Sequence, residues 1–153
     1  MQKRPKQFDQ SVVNAAAKKL APKVKEWLDD DSELAYIEED LTKALKWHDD
    51  GYEIARKLDG QYSPDAALVK ILDEASYLKS EACRDAERAW VKENNIQEIP
   101  LGTRVQWGRK PEAGIGVVTK NLPEGKSTVS FADLGQKDGY GYIVEWESLT
   151  IQP

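Results

Sequence analysis

His48, Asp49 and Asp50 stand together in the stretch WHDDGYEIARKLDG, residues 47 to 60, and His48 is the only histidine of the 153-residue chain. An imidazole beside two carboxylates is the raw material of a metal site or a general acid–base centre. The spacing denies that use. Consecutive residues on a helix diverge by about 100° each, so the three side chains cannot converge on one ion. Asp50 suits a helix cap better, accepting from the amides of Tyr52 and Glu53, with Glu53 as the far half of a capping box. His48 continues the apolar stripe of Leu41 and Leu45, which predicts a buried or half-buried histidine with one polar partner at a helix end.

Other reactive residues are equally poor in partners. Cys83 cannot form an intramolecular disulfide, and one cysteine with one histidine cannot build a four-ligand zinc site. Its place near an apolar lane predicts inert packing. Adjacent carboxylates such as Glu38, Glu39 and Asp40 read as solvated faces rather than a tuned acid–base pair. AGIGVV has two glycines, but it enters a strand and lacks the helix N-terminus that would hold a phosphate. The expectation is a protein that is not an enzyme, with no catalytic residue, no metal and no cofactor.

Charge is the stronger signal. From Lys3 to Lys25 there are seven Lys/Arg and one acid, Asp9, a balance of 7 − 1 = +6. From Asp29 to Glu53 there are ten acids and two lysines, 2 − 10 = −8. Such blocks mark partner surfaces, or face one another, or lie on solvated helix faces. As a partner surface, Asp29, Asp30, Asp31, Glu38, Glu39, Asp40, Asp49 and Asp50 would engage a basic region of another protein, in the sharpest form by imitating nucleic-acid phosphates. The alternative is nucleic-acid or peptide contact through Arg104, Trp107, Arg109, Lys110, Tyr140 and Tyr142, where exposed aromatics beside cations could stack bases.

Two kinds of segment position these residues. Up to about Asn95 the pattern is helical. Val13, Ala16, Leu20, Val24, Trp27 and Leu28 recur at helical spacing after Asp9 or Ser11 as a cap, and Pro22 predicts a kink or break. Leu34, Ile37, Leu41, Ala44 and Leu45 form a second stripe capped by Asp31 or Ser32. Ile54, Ala55 and Leu58 form a short third one that stops at Gly60. Ser63-Pro64-Asp65 reads as cap, first-turn proline and acid ahead of one long helix from Leu68 to Trp90. From Ile99 the grammar changes to short β-rich runs, LGTRVQW, GIGVVT, STVSF, GYIVEW and SLTI, separated by turns that include NLPEGK and ADLGQKDGY. Five short strands in about 55 residues predict a small, strongly bent barrel, and between the two parts NNIQEIP carries Ile96 and Ile99, which predicts that this barrel docks on the helix end at Trp90 or Val91 instead of swinging on a free linker.

The order of strands and turns in the last third resembles SH3-like barrels of the kind seen in Tudor and KOW modules. The run from KWHDDGYEIARKLD through AWVKENNIQ to IPLGTRV resembles small uncharacterised proteins of bacteriophages and prophages. These resemblances imply an α+β protein, with a helical domain over residues 1–95 and an SH3-like β-barrel over 99–153. The second implies a phage accessory protein that binds and modulates or inhibits a host protein, including anti-defence inhibitors such as anti-CRISPR proteins. A basic, polar N-terminus and short apolar runs predict neither signal peptide nor membrane span, and a cytoplasmic location.

Overall fold

The computed structural model describes residues 2–46, 48–136 and 140–153. The architecture is α+β, and the chain packs as two compact units. One comprises residues 3–86; the other comprises Gln2 with residues 87–153.

The helical unit holds α1 (Gln10–Leu28), α2 (Leu34–Ala44), α3 (Gly51–Leu58), α4 (Ala66–Leu72) and the first turns of α5 (Ala75–Glu93). Its core follows the apolar stripes: Val13, Leu20 and Val24 of α1 meet Ile37 and Leu41 of α2, then Leu45, Ile54, Leu58, Leu68 and Leu72. Pro22 lies inside α1 without interrupting it. Pro22 and Lys18 are both exposed, so the carbonyl that loses its amide partner can turn to water.

Helix starts depart from expectation where side-chain hydrogen bonds go elsewhere. Asp9 is the N-cap of α1, but its carboxylate turns back to accept from the Lys6 amide at 2.8 Å. Glu33, not Asp31 or Ser32, occupies the cap position of α2 and makes no side-chain cap hydrogen bond, while the Ser32 amide donates to Asp30 at 2.8 Å. Asp50 caps α3 as expected, accepting from Glu53 N at 2.8 Å. Gly60 is not a left-handed stop; α3 ends through Asp59 in ordinary right-handed geometry. The cap of α4 is Asp65, accepting from Leu68 N at 2.9 Å, so Ser63 and Pro64 precede the helix.

The expected long helix is divided at Asp73–Glu74. Its sequence there has no breaker, and the cause is tertiary. The Gly51 amide donates to Asp73 Oδ1 at 2.8 Å, and a Cβ at Gly51 would stand 2.3 Å from the Val69 carbonyl. The start of α3 is thus pressed against the end of α4, where the turn tightens to a Glu74 N→Ile71 O bond of 3.2 Å.

The second unit is an antiparallel sheet of β1 (Arg104–Trp107), β2 (Ile115–Leu122), β3 (Lys126–Ser130), β4 (Tyr142–Glu145) and β5 (Leu149–Ile151), in the order β4-β3-β2-β1-β5. No ladder joins β4 to β5, so the sheet is open rather than the closed barrel expected. A 3-10 turn, Trp146–Ser148, carries the chain from one edge to the other, with Trp146 N bound to Gly125 O and Gly108 N to Ser148 O, each at 3.1 Å. Inside lie Ile99, Val105, Val118, Val129, Phe131, Val144 and Trp146, and Val91 and Ile96 pack against them. The last turns of α5 therefore belong to the sheet's own core. Gly116 is required by that core, since a Cβ there would stand 2.5 Å from Val129 and 2.7 Å from Phe131. Within the expected ADLGQKDGY turn, Lys137, Asp138 and Gly139 lie outside the described residues.

Candidate functional site

The eight carboxylates of the acidic block do not act as one patch. Glu39 pairs with Lys43 one turn on at 2.7 Å, and that hydrogen bond, then the lysine's charge, hold its carboxyl below the ordinary range. Asp40 accepts from the Tyr62 hydroxyl at 2.8 Å; burial first, then Asp40, push the Tyr62 phenol above its ordinary value. Asp49 is ion-paired with Lys57, whose hydrogen bond pulls its carboxyl down. Asp50 is committed to the α3 cap, and Asp30 to Ser32, whose hydrogen bonds lower its carboxyl. Asp29, Asp31 and Glu38 make no ion pair or side-chain hydrogen bond with another described residue.

These three are set by two local features. Asp29 closes α1 in the left-handed region at φ 50°, with its amide bound to Lys25 O, and the reversal leaves Asp29, Asp30 and Asp31 all exposed. They line a shallow depression of about 520 Å³ with Lys25 and Glu26. Glu38 is half-buried on α2, in a groove of about 460 Å³ shared with Asn14 and Lys18 of α1.

His48 is exposed, not buried as its stripe position implied. Helix α2 ends at Ala44, before the stripe reaches it, and its ring meets Phe8 edge-on at 4.3 Å between centroids. What the stripe buries instead is Lys79, only 1% exposed, whose ammonium donates to Leu45 O at 3.2 Å at the end of α2 and lies 5.4 Å from the centre of the Phe8 ring. Burial pulls this ammonium below its ordinary value, against the opposing charge of Asp49. The sequence held a signal: Lys79 follows Ala75 by four positions and precedes Ala82 by three, on the lane that faces inward.

In the sheet unit the alternative residues separate into two groups. Trp107 and Tyr142 lie 5.6 Å apart, with Phe131 at 6.5 and 6.2 Å from them. The Lys110 ammonium is 4.6 Å over the Tyr142 ring and 3.3 Å from its hydroxyl, so both are engaged internally. The Trp107 indole nitrogen is buried and has no hydrogen-bond partner among the described residues. By contrast Arg104 is exposed, Tyr140 is 73% exposed, and Arg109 reaches Glu145 at 3.5 Å while largely in solvent. Buried Glu87 and Glu124, unforeseen, take Lys126 at 2.7 Å and Arg88 at 2.7 Å.

Cys83 is half-buried on α5. Among the described residues, no group of three or more His, Cys, Asp or Glu is placed to hold a metal, and no helix is long and apolar enough to cross a membrane. No family model, curated protein or solved structure matches the chain.

Proposed function

We propose that the protein is a non-enzymatic binding protein, a phage or prophage accessory factor that modulates or inhibits a host protein through the acidic surface of its helical unit. The observation that carries this reading is the division among the carboxylates. Five of the eight have partners within the chain, whereas Asp29, Asp31 and Glu38 make no ion pair or side-chain hydrogen bond with another described residue. Exposed charges of one sign steer encounter with a basic surface, and their effect falls with salt. The sheet unit is read as an SH3-like module, supported by a four-strand meander whose fifth strand returns to β1.

A second reading, nucleic-acid contact through the sheet, is favoured by Tyr140 and Arg104, an aromatic and a cation both open to solvent. One experiment separates the two. Capture from a bacterial lysate, with and without nuclease, is run with the wild-type chain and with Asp29→Asn/Asp31→Asn/Glu38→Gln. The acidic reading expects a nuclease-resistant partner protein that the triple variant loses and that salt elutes. Capture unchanged by the triple substitution removes it. Recovery of nucleic acid instead, lost on Tyr140→Ala, replaces it with the second reading.

A further inference from the structure

We infer that the groove between α3 and α4 binds a zwitterionic aromatic compound of the size of a single amino acid. The groove has a volume of about 540 Å³, within the range of small-molecule sites. Ala55, Pro64, Ala66 and Val69 give it an apolar lining, and Tyr52, 62% exposed, adds an aromatic ring. Its walls are held in place before any ligand arrives. The Gly51 amide bonds Asp73 Oδ1 at 2.8 Å and fixes the start of α3 against the end of α4. At the other rim Asp65 accepts from the Trp27 indole at 3.0 Å and the Leu68 amide at 2.9 Å. None of Asp29, Asp31 and Glu38 lines the groove, so it is separate from the acidic surface.

The charged groups on the α3 side decide the class of ligand. Arg56 and Asp59 both line the groove and are both exposed. Neither makes an ion pair or a side-chain hydrogen bond with another described residue, although the adjacent Lys57 is paired with Asp49. Residues three apart on a helix have Cβ atoms about 5–6 Å from each other, so a guanidinium and a carboxylate so placed can close on the two ends of one α-amino-acid backbone. The ligand's carboxylate meets Arg56, and its ammonium meets Asp59. Its ring then covers the apolar lining beside Tyr52. A ligand with a single charge would be attracted by one of these side chains and repelled by the other, and a hydrocarbon would use neither.

Titration of the isotope-labelled intact chain with L-phenylalanine, followed by amide chemical shifts, tests this. Saturable shifts are expected at Tyr52, Ala55, Arg56 and Val69, with a Kd on the order of 1 mM. Phenethylamine, which lacks the carboxylate, and 3-phenylpropionate, which lacks the ammonium, should each bind about tenfold more weakly. Arg56→Gln should erase the advantage of phenylalanine over phenethylamine, and Asp59→Asn its advantage over 3-phenylpropionate. Both positions are exposed, so the fold should tolerate the two changes. The inference is overturned by the absence of saturable shifts up to about 50 mM, by equal binding of the three compounds, or by phenylalanine binding that neither substitution alters.

Discussion

The helical unit and the sheet unit solve the same electrostatic problem in opposite ways. In the helical unit the buried charges among the described residues are cations, Arg4 and Lys79, with the Lys79 ammonium donating to the carbonyl at the end of α2, while most carboxylates stay at the surface. In the sheet unit the buried charges are anions, Glu87 and Glu124, each with a cation on it. The contrast teaches that the two units bury charge of opposite sign, and that the sheet's acids become costly when their cations are removed.

The largest effect should come from breaking the second arrangement. Lys126→Met strips a buried carboxylate of its lysine and should destabilise the sheet unit by about 3 kcal/mol, read from urea unfolding monitored by circular dichroism. A loss below about 0.5 kcal/mol would mean that Glu87 is held adequately without Lys126.

Next is a purely steric break in the helical unit. Gly51→Ala drives a methyl group into the Val69 carbonyl, which is backbone and cannot step aside, and should cost about 2 kcal/mol. Gly60→Ala, where a Cβ meets nothing within 4 Å, is the matched control and should be neutral or slightly stabilising. Equal effects at the two glycines would show that α3 and α4 are not in tight contact.

The smallest and most diagnostic effect concerns Lys79. Its pKa is lowered in the folded state, so between that value and the ordinary 10.5 the unfolded chain binds more protons and stability rises with pH. Tyr62, raised by burial and Asp40, acts in the opposite sense above its ordinary 10.0, so the difference between variants is the proper readout. Lys79→Met lacks this titration, so the stability difference between the two proteins should shift in favour of wild type as pH rises through the alkaline window. A constant difference across that range would refute the buried-cation reading.

Much of this fold is legible in the residues, and the failures share a cause. The stripe of Ile37, Leu41, Ala44 and Leu45, the Asp50 cap and all five strands follow from local periodicity and turn chemistry. The break at Asp73 does not, because the group that fixes it, the Gly51 amide, is distant in sequence. His48 was misplaced for a related reason: a stripe gives the direction of a side chain only while the helix lasts, and α2 ends at Ala44. Among the acidic residues the count was legible but the allocation was not. Nothing local distinguishes Asp40, which holds Tyr62, from Asp31, which holds no side-chain partner among the described residues. The open sheet has the same character, since short runs identify strands but not whether the two outer ones meet.

The placement of β5 has a consequence for the order in which the molecule assembles. Strand β1 meets β2 across a short connection, yet its other neighbour is β5, with Val105 set against Ile151 far along the chain. Contacts so unequal in loop length do not form together. The β1–β2–β3 meander can condense early, whereas β1 must wait for β5, and closure of that long loop sets the pace. During synthesis residues 3–86 can emerge and begin to pack while β1 still lacks one neighbour. The sheet unit's vulnerable interval is therefore the time between translation of Trp107 and translation of Leu149, when one side of β1 is bare and open to mispairing.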